Sequence, residues 1–137
     1  MKRQDKYPNH EHFTYYNHNP KNRITGDCLV RAISFALNIP YNQVVMDAAR
    51  FQCDTGYDGN YSESIFIEKM YGIKNQPQLK HDDNTKYTVK EFINKFPNGT
   101  YILRMPSHMT VIKDGKNYDI WDCTKSTSKV GKWWIIK

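Results

Sequence analysis

Residues 26–37 read GDCLVRAISFAL, and apolar side chains recur in this stretch at the three- and four-residue spacing of a helix. The positions with that spacing are Leu29, Ala32, Ile33, Ala36 and Leu37. A helix with one continuous apolar face buries that face in a core. The spacing therefore predicts an amphipathic helix that carries Cys28 in its first turn, with Asp27 as its N-cap.

The composition predicts one folded domain that spans residues 1–137, since 39% of the chain is hydrophobic and 14% is aromatic. The net charge is +6, but the basic residues form no dense run, which disfavours nucleic acid as a partner. The sequence contains no run of roughly 18 apolar residues and no hydrophobic signal core, so we expect a cytoplasmic protein without a membrane segment. The three cysteines lack CxxC spacing and are expected to be free thiols.

The remainder of the chain is expected to form helices first and strands afterwards. Residues 1–20 are predicted to be a polar arm whose aromatic middle packs on the domain. Helical spacing and caps predict helices over 41–51 and 62–71, and a short helix that begins with a capping box of Thr88 and Glu91. Strands are expected at 100–105, 109–113, 117–121 and 132–136. This order is typical of an α+β fold in which helices pack on a C-terminal antiparallel sheet.

Cys28 and His108 are the candidate pair for nucleophilic chemistry. The unpaired N–H groups of a helix N-terminus favour an anion, which lowers the pKa of a thiol placed there. A base that activates this thiol must come from elsewhere in the fold, and a strand end can hold it rigidly. His108 lies about 80 residues downstream, at the start of a predicted strand. It therefore meets both requirements for such a base.

Two aspartates are candidates for the group that orients His108, and the turn between the strands decides between them. A three-residue loop over 113–115 places Asp122 on the same face as His108. A two-residue turn of Asp114 and Gly115 places Asp119 there instead. We favour Asp122, which lies nearer the His108 end of the ladder.

The motifs that contain these residues resemble the papain-like cysteine peptidase superfamily, in particular its small bacterial and phage members. The resemblance extends over about 100 residues. It rests on Asn22, GDC at 26–28, SHMTV at 107–111 and YDIWD at 118–122. The run DCLVRA at 27–32 is also similar to the cysteine loop of ovarian-tumour-type deubiquitinases. The resemblance implies a papain-like fold.

The same resemblance implies a role for each site residue. Cys28 is then the nucleophile, His108 the general base and acid, and Asp122 the orienting carboxylate. Asn22 stands six positions before Cys28, where the family has an oxyanion donor that is usually Gln. Asp119 begins a stretch similar to the Asn-Ser-Trp motif whose first residue orients the histidine, so it stays an alternative to Asp122.

The expected function is that of a thiol hydrolase that cleaves a peptide, isopeptide or related amide bond of a protein or peptide substrate. No cofactor and no metal are expected; His10 and His12 have metal-like spacing but lack a third clustered ligand. Two alternatives stay open. One is a transglutaminase-like acyltransferase, and the other is an inert papain-like module that binds protein or nucleic acid.

Overall fold

The computed structural model describes residues 1–137, in which five α-helices precede four of the five strands. The helices are α1 (Arg3–Lys6), α2 (Cys28–Leu37), α3 (Tyr41–Thr55), α4 (Glu63–Tyr71) and α5 (Val89–Lys95). The strands are β1 (Phe13–Tyr15), β2 (Thr100–Met105), β3 (His108–Lys113), β4 (Lys116–Asp119) and β5 (Lys132–Ile135), with a 3₁₀ turn at Cys123–Lys125. No helix combines the length and the apolar character that a membrane crossing needs.

The α+β class is confirmed, but the sheet is mixed and not purely antiparallel. Its strand order is β1-β4-β3-β2-β5, and β1 runs parallel to β4 while every other pair is antiparallel. The edge strand β1 comes from the N-terminal arm. Phe13 anchors it, since this side chain is fully buried. A strand of three residues is too short for the alternation of polar and apolar residues to reveal it in the sequence.

Apolar side chains cover both faces of the sheet. Ile102 belongs to the cluster that contains the buried faces of α2, α3 and α4. Its neighbours Tyr101 and Leu103 belong to a second cluster, which contains the buried face of α5. Alternate residues of a strand point to opposite faces. The sheet therefore lies between α2, α3 and α4 on one side and α5 on the other.

The helix that carries Cys28 has the predicted extent. It ends at Leu37, and Asn38 follows in the left-handed conformation with φ of 55°. Asp27 occupies the N-cap position, but its side chain makes no capping hydrogen bond, because its carboxylate binds other side chains. The capping box of Thr88 and Glu91 is confirmed at α5.

The hairpin of β3 and β4 closes with a two-residue turn. Lys113 pairs with Lys116, which leaves only Asp114 and Gly115 between the strands. Both turn residues have positive φ, 49° and 76°, as a type I′ hairpin turn requires. The three-residue loop favoured from the sequence is therefore wrong, and every side chain of β4 lies on the face opposite to the one that this loop implies.

Candidate active site

Cys28 and His108 meet where α2 packs against β3. Cys28 is the first residue of α2 and is half-buried, and His108 is the first residue of β3. The Cys28 thiol lies within hydrogen-bonding reach of the His108 side chain and of the Met109 backbone, and both lower its pKa. The structure thus brings together the nucleophile and the base that the sequence predicted.

The electrostatics of the pair favour the charged forms of both Cys28 and His108. Burial alone would raise the pKa of the Cys28 thiol, but the hydrogen bonds from His108 and Met109 and the charges of His108 and Arg31 hold it below its usual value. Burial lowers the pKa of His108, yet the bonds to Asp119 and Cys28 outweigh it and raise this pKa to about 9. The contacts between the two groups therefore favour the charged form of each, a thiolate beside an imidazolium.

Asp119 is the carboxylate that contacts His108. Its Oδ2 accepts a hydrogen bond from His108 Nε2 at 2.6 Å. Because Nε2 is engaged by Asp119, Nδ1 is the ring nitrogen that meets Cys28. The three groups form a continuous row of sulfur, imidazole and carboxylate. This is the arrangement that positions a base and stabilises its protonated form.

Asp122, the carboxylate favoured from the sequence, does not contact His108. Its Oδ2 binds His10 Nε2 at 2.6 Å, and its Oδ1 accepts from the backbone N–H of Thr124 at 3.0 Å, so it caps the 3₁₀ turn. The two-residue turn is the reason. It places position 119, and not 122, on the His108 face of the hairpin.

The Asp119 carboxylate is held from several sides. Thr110 Oγ1 and the backbone N–H of Ile120 donate to it at 2.6 and 2.7 Å, and Arg31 Nη1 lies 3.0 Å from its Oδ1. Burial would raise the pKa of Asp119, but the contacts with His108, Arg31 and Thr110 lower it. The group is therefore a fixed anion that is only 2% exposed.

Arg31 links this carboxylate to a second one on the helix. Its Nε donates to Asp27 Oδ1 at 2.8 Å, while Nη1 binds Asp119. Asp27 Oδ2 also accepts from Tyr41 at 2.6 Å and from Asn19 at 2.9 Å. Sequence reasoning missed this network. The four-residue spacing of Asp27 and Arg31 is the one signal that could have indicated it.

Asn22, the expected oxyanion donor, is not brought to Cys28. It is exposed, has φ of 52° and accepts a long hydrogen bond of 3.4 Å from Asn17. It is not among the residues that line the cleft beside the sulfur. The N–H of Cys28 itself lies in the first turn of α2 and has no partner within the helix, so it is available to a substrate oxygen.

An open cleft of about 410 Å³ lies beside the sulfur. Tyr61 forms part of its wall and is 86% exposed, and Arg104 lines it from β2. On the other side of the base, the ring of Trp121 packs on His108 with 4.9 Å between the centroids. Trp121 thus limits the access of water to the histidine and its carboxylate.

His108, Asp119 and Cys123 are the one group with the spacing of metal ligands, since their ligand atoms lie within 4.8 Å of one another. These donors already bind one another: His108 Nε2 and Cys123 Sγ both contact Asp119 Oδ2. Burial and the charge of Asp119 raise the pKa of Cys123 well above its usual value, so this group stays a thiol and not the thiolate that metals prefer.

Comparison with protein-family models, with curated proteins and with solved structures finds no match to this chain.

Proposed function

We propose that the protein is a thiol hydrolase with a papain-like arrangement of its catalytic groups. One observation carries the proposal. His108 bonds to Asp119 at 2.6 Å and lies beside Cys28, which lines an open cleft, and the pKa of the thiol is lowered while that of the imidazole is raised to about 9. Perturbed groups of this kind in a cleft are typical of catalytic sites.

Each group has a defined task in the cleavage of an amide. The Cys28 thiolate attacks the carbonyl carbon and forms a C–S bond, while the carbonyl oxygen takes the negative charge and accepts from the Cys28 N–H. His108 then gives its proton to the leaving nitrogen, and the C–N bond breaks. Asp119 holds the ring in place and stabilises its charged form.

Water completes the cycle. A water molecule attacks the thioester carbonyl and gives a proton to His108, which is neutral at this stage. The C–S bond breaks, the acid product leaves, and the thiolate and imidazolium are restored. The second step therefore uses the same three side chains, but His108 now receives a proton where it gave one in the first step.

Reaction with p-nitrophenyl acetate tests the proposal without knowledge of the natural substrate. We expect a burst of one p-nitrophenol per protein, an acetyl group on Cys28 in the intact mass, and slow turnover afterwards. Cys28→Ala abolishes the burst, and His108→Ala slows it by about 100-fold or more. The matched control is Cys53→Ala, which removes an exposed thiol on α3 and leaves the burst unchanged.

Two results contradict the proposal. One is acetylation of the exposed Cys53 at a rate equal to that of Cys28. The other is a burst in His108→Ala as fast as in the unaltered protein. Addition of a primary amine to the same reaction distinguishes hydrolysis, which gives acetate, from acyl transfer, which gives the acetamide.

A further inference from the structure

We infer that the cleft selects peptide substrates with an acidic side chain close to the scissile bond, and that Arg104 is the residue that binds this side chain. The inference rests on the proposed hydrolase function and names its substrate class. It arises from a row of cations that begins beside Cys28 and continues into a second depression.

The sheet fixes the position of this row. Arg104 on β2 pairs with Met109, the residue whose backbone lies within hydrogen-bonding reach of the Cys28 thiol, and on its other side pairs with Lys132 on β5. Residues directly opposite each other on neighbouring strands point to the same face, with strands about 4.8 Å apart. Arg104 is therefore one strand away from the reacting sulfur, and Lys132 is two strands away.

A buried glutamate holds the row in place. Glu63 Oε1 lies 3.2 Å from Arg104 Nε and 3.2 Å from Lys132 Nζ, and Glu63 is only 3% exposed. The Nη groups of Arg104 make no hydrogen bond within the protein. These two nitrogens have the fork geometry that binds a carboxylate through two parallel hydrogen bonds.

The positive charge lies in the second depression, because the cleft beside Cys28 contains one cation, Arg104, and one acid, Asp58. The volume of the second depression is about 550 Å³, and Arg104 lines both it and the cleft beside Cys28. Its charged residues are Lys86, Arg104, Lys129 and Lys132 against the single acid Glu63, a net charge of +3. A chain that extends from the sulfur across Arg104 thus enters a positive field, which favours Asp or Glu over neutral and basic side chains.

Digestion of random-sequence peptides tests the inference on both sides of the scissile bond. The peptides have amidated C-termini, so that every carboxylate is a side chain, and a parallel set has free C-termini. Mass spectrometry identifies the cleaved bonds. We expect Glu or Asp to be enriched at one position near the cleaved bond by about fivefold to tenfold over Gln or Asn in the amidated set.

The variant Arg104→Gln/Glu63→Gln removes the guanidinium together with its buried counter-charge, so that no buried carboxylate is left unpaired. We expect the acidic enrichment of this variant to fall below about twofold, while its p-nitrophenyl acetate burst shows that the Cys28 site is intact. Lys86→Gln/Lys129→Gln changes two lysines that form no salt bridge and should weaken the enrichment. The matched control is Lys116→Gln, at the hairpin turn, which leaves it unchanged.

The outcomes separate the two proposals. Cleavage without acidic enrichment, or enrichment that persists in Arg104→Gln/Glu63→Gln, overturns the substrate inference and leaves the hydrolase standing. Cleavage of the free-terminus set alone overturns it too, because the bound group is then a chain end. Cleavage of neither set, with a normal p-nitrophenyl acetate burst, also overturns it, since no peptide is then a substrate. Absence of both cleavage and burst contradicts the hydrolase itself.

Discussion

The three cysteines of the chain show how strongly surroundings alter one side chain. Cys28, at the first turn of a helix and beside His108, has a lowered pKa. Cys123 is buried beside Asp119, and its pKa is raised. Cys53 lies exposed on α3. Only Cys28 has both a lowered pKa and a base beside it. The reactivity expected of each cysteine therefore depends on its position in the fold and not on its residue type.

Separate replacement of Asp119 and Asp122 distinguishes the carboxylate that orients His108 from the one that caps the 3₁₀ turn. Asp119→Asn removes the negative charge that stabilises the protonated His108 ring, and we expect the p-nitrophenyl acetate burst to slow by about 10-fold or more. Asp122→Asn keeps an oxygen for the Thr124 N–H and lies away from His108, so the burst should change by less than about twofold. Stopped-flow absorbance measures both rates.

Circular dichroism and thermal unfolding serve as the control that both variants are folded. A slow Asp122→Asn protein beside a fast Asp119→Asn protein would reverse the assignment of the third catalytic group.

At the scale of single elements, the β3–β4 hairpin determines which carboxylate reaches the base. The sequence predicts the strands, the Asp114–Gly115 turn signal and both candidate aspartates. It does not predict the pairing register of β3 with β4, because the same sequence is compatible with a turn of two or of three residues. The structure resolves this through two consecutive positive φ angles. A one-residue difference in a turn therefore exchanges Asp119 for Asp122.

The turn itself gives a prediction for stability. Gly115 has φ of 76°, and a Cβ there would lie 3.3 Å from the carbonyl oxygen of Pro97. We expect Gly115→Ala to lower the free energy of unfolding by about 1–2 kcal/mol. Asp114→Asn should change it by less than about 0.5 kcal/mol, since Asn tolerates the left-handed conformation and keeps an acceptor for the Gly99 N–H. Urea denaturation measures both.

If Gly115→Ala were as stable as the unaltered protein, the two-residue turn with positive φ would be wrong.

Across the whole molecule, a buried ionic network joins the Cys28 helix to the sheet. Arg31 contacts Asp27 on the helix side and Asp119 on the sheet side, and all three are largely buried. Sequence patterns describe neighbours within one element, whereas Arg31 and Asp119 are 88 residues apart. The same limit explains why the parallel pairing of β1 with β4 was not foreseen, although the packing of Phe13 on the domain was.

Removal of Arg31 should destabilise the fold in a pH-dependent way. Arg31→Met leaves the buried Asp27 carboxylate without a cation and leaves Asp119 with His108 alone, which costs about 3–5 kcal/mol at pH 7. In the unaltered protein the pKa values of Asp27 and Asp119 are lowered, so their contribution is present above about pH 4 and is lost as pH falls further. The deficit of the variant should therefore shrink below pH 4, as measured by urea unfolding.

Arg50 is exposed on α3, so Arg50→Met is the matched control for the loss of one positive charge. The stability of this variant should follow that of the unaltered protein at every pH. A deficit of Arg31→Met that is the same at pH 3 and pH 7 would indicate lost packing instead of unpaired carboxylates.

The most direct test of the Cys28–His108–Asp119 assignment is the alkylation of Cys28 and Cys53 by iodoacetamide in the same molecule at pH 6, with peptide mass spectrometry to separate the two sites. Ordinary thiols, with a pKa near 8.5, carry about 0.3% thiolate at that pH. Because Cys28 is paired with an imidazolium, we predict that it reacts about 10-fold faster than the more exposed Cys53, and that His108→Ala removes this difference. Faster reaction of Cys53, or a Cys28 rate that is the same in His108→Ala, would contradict the account.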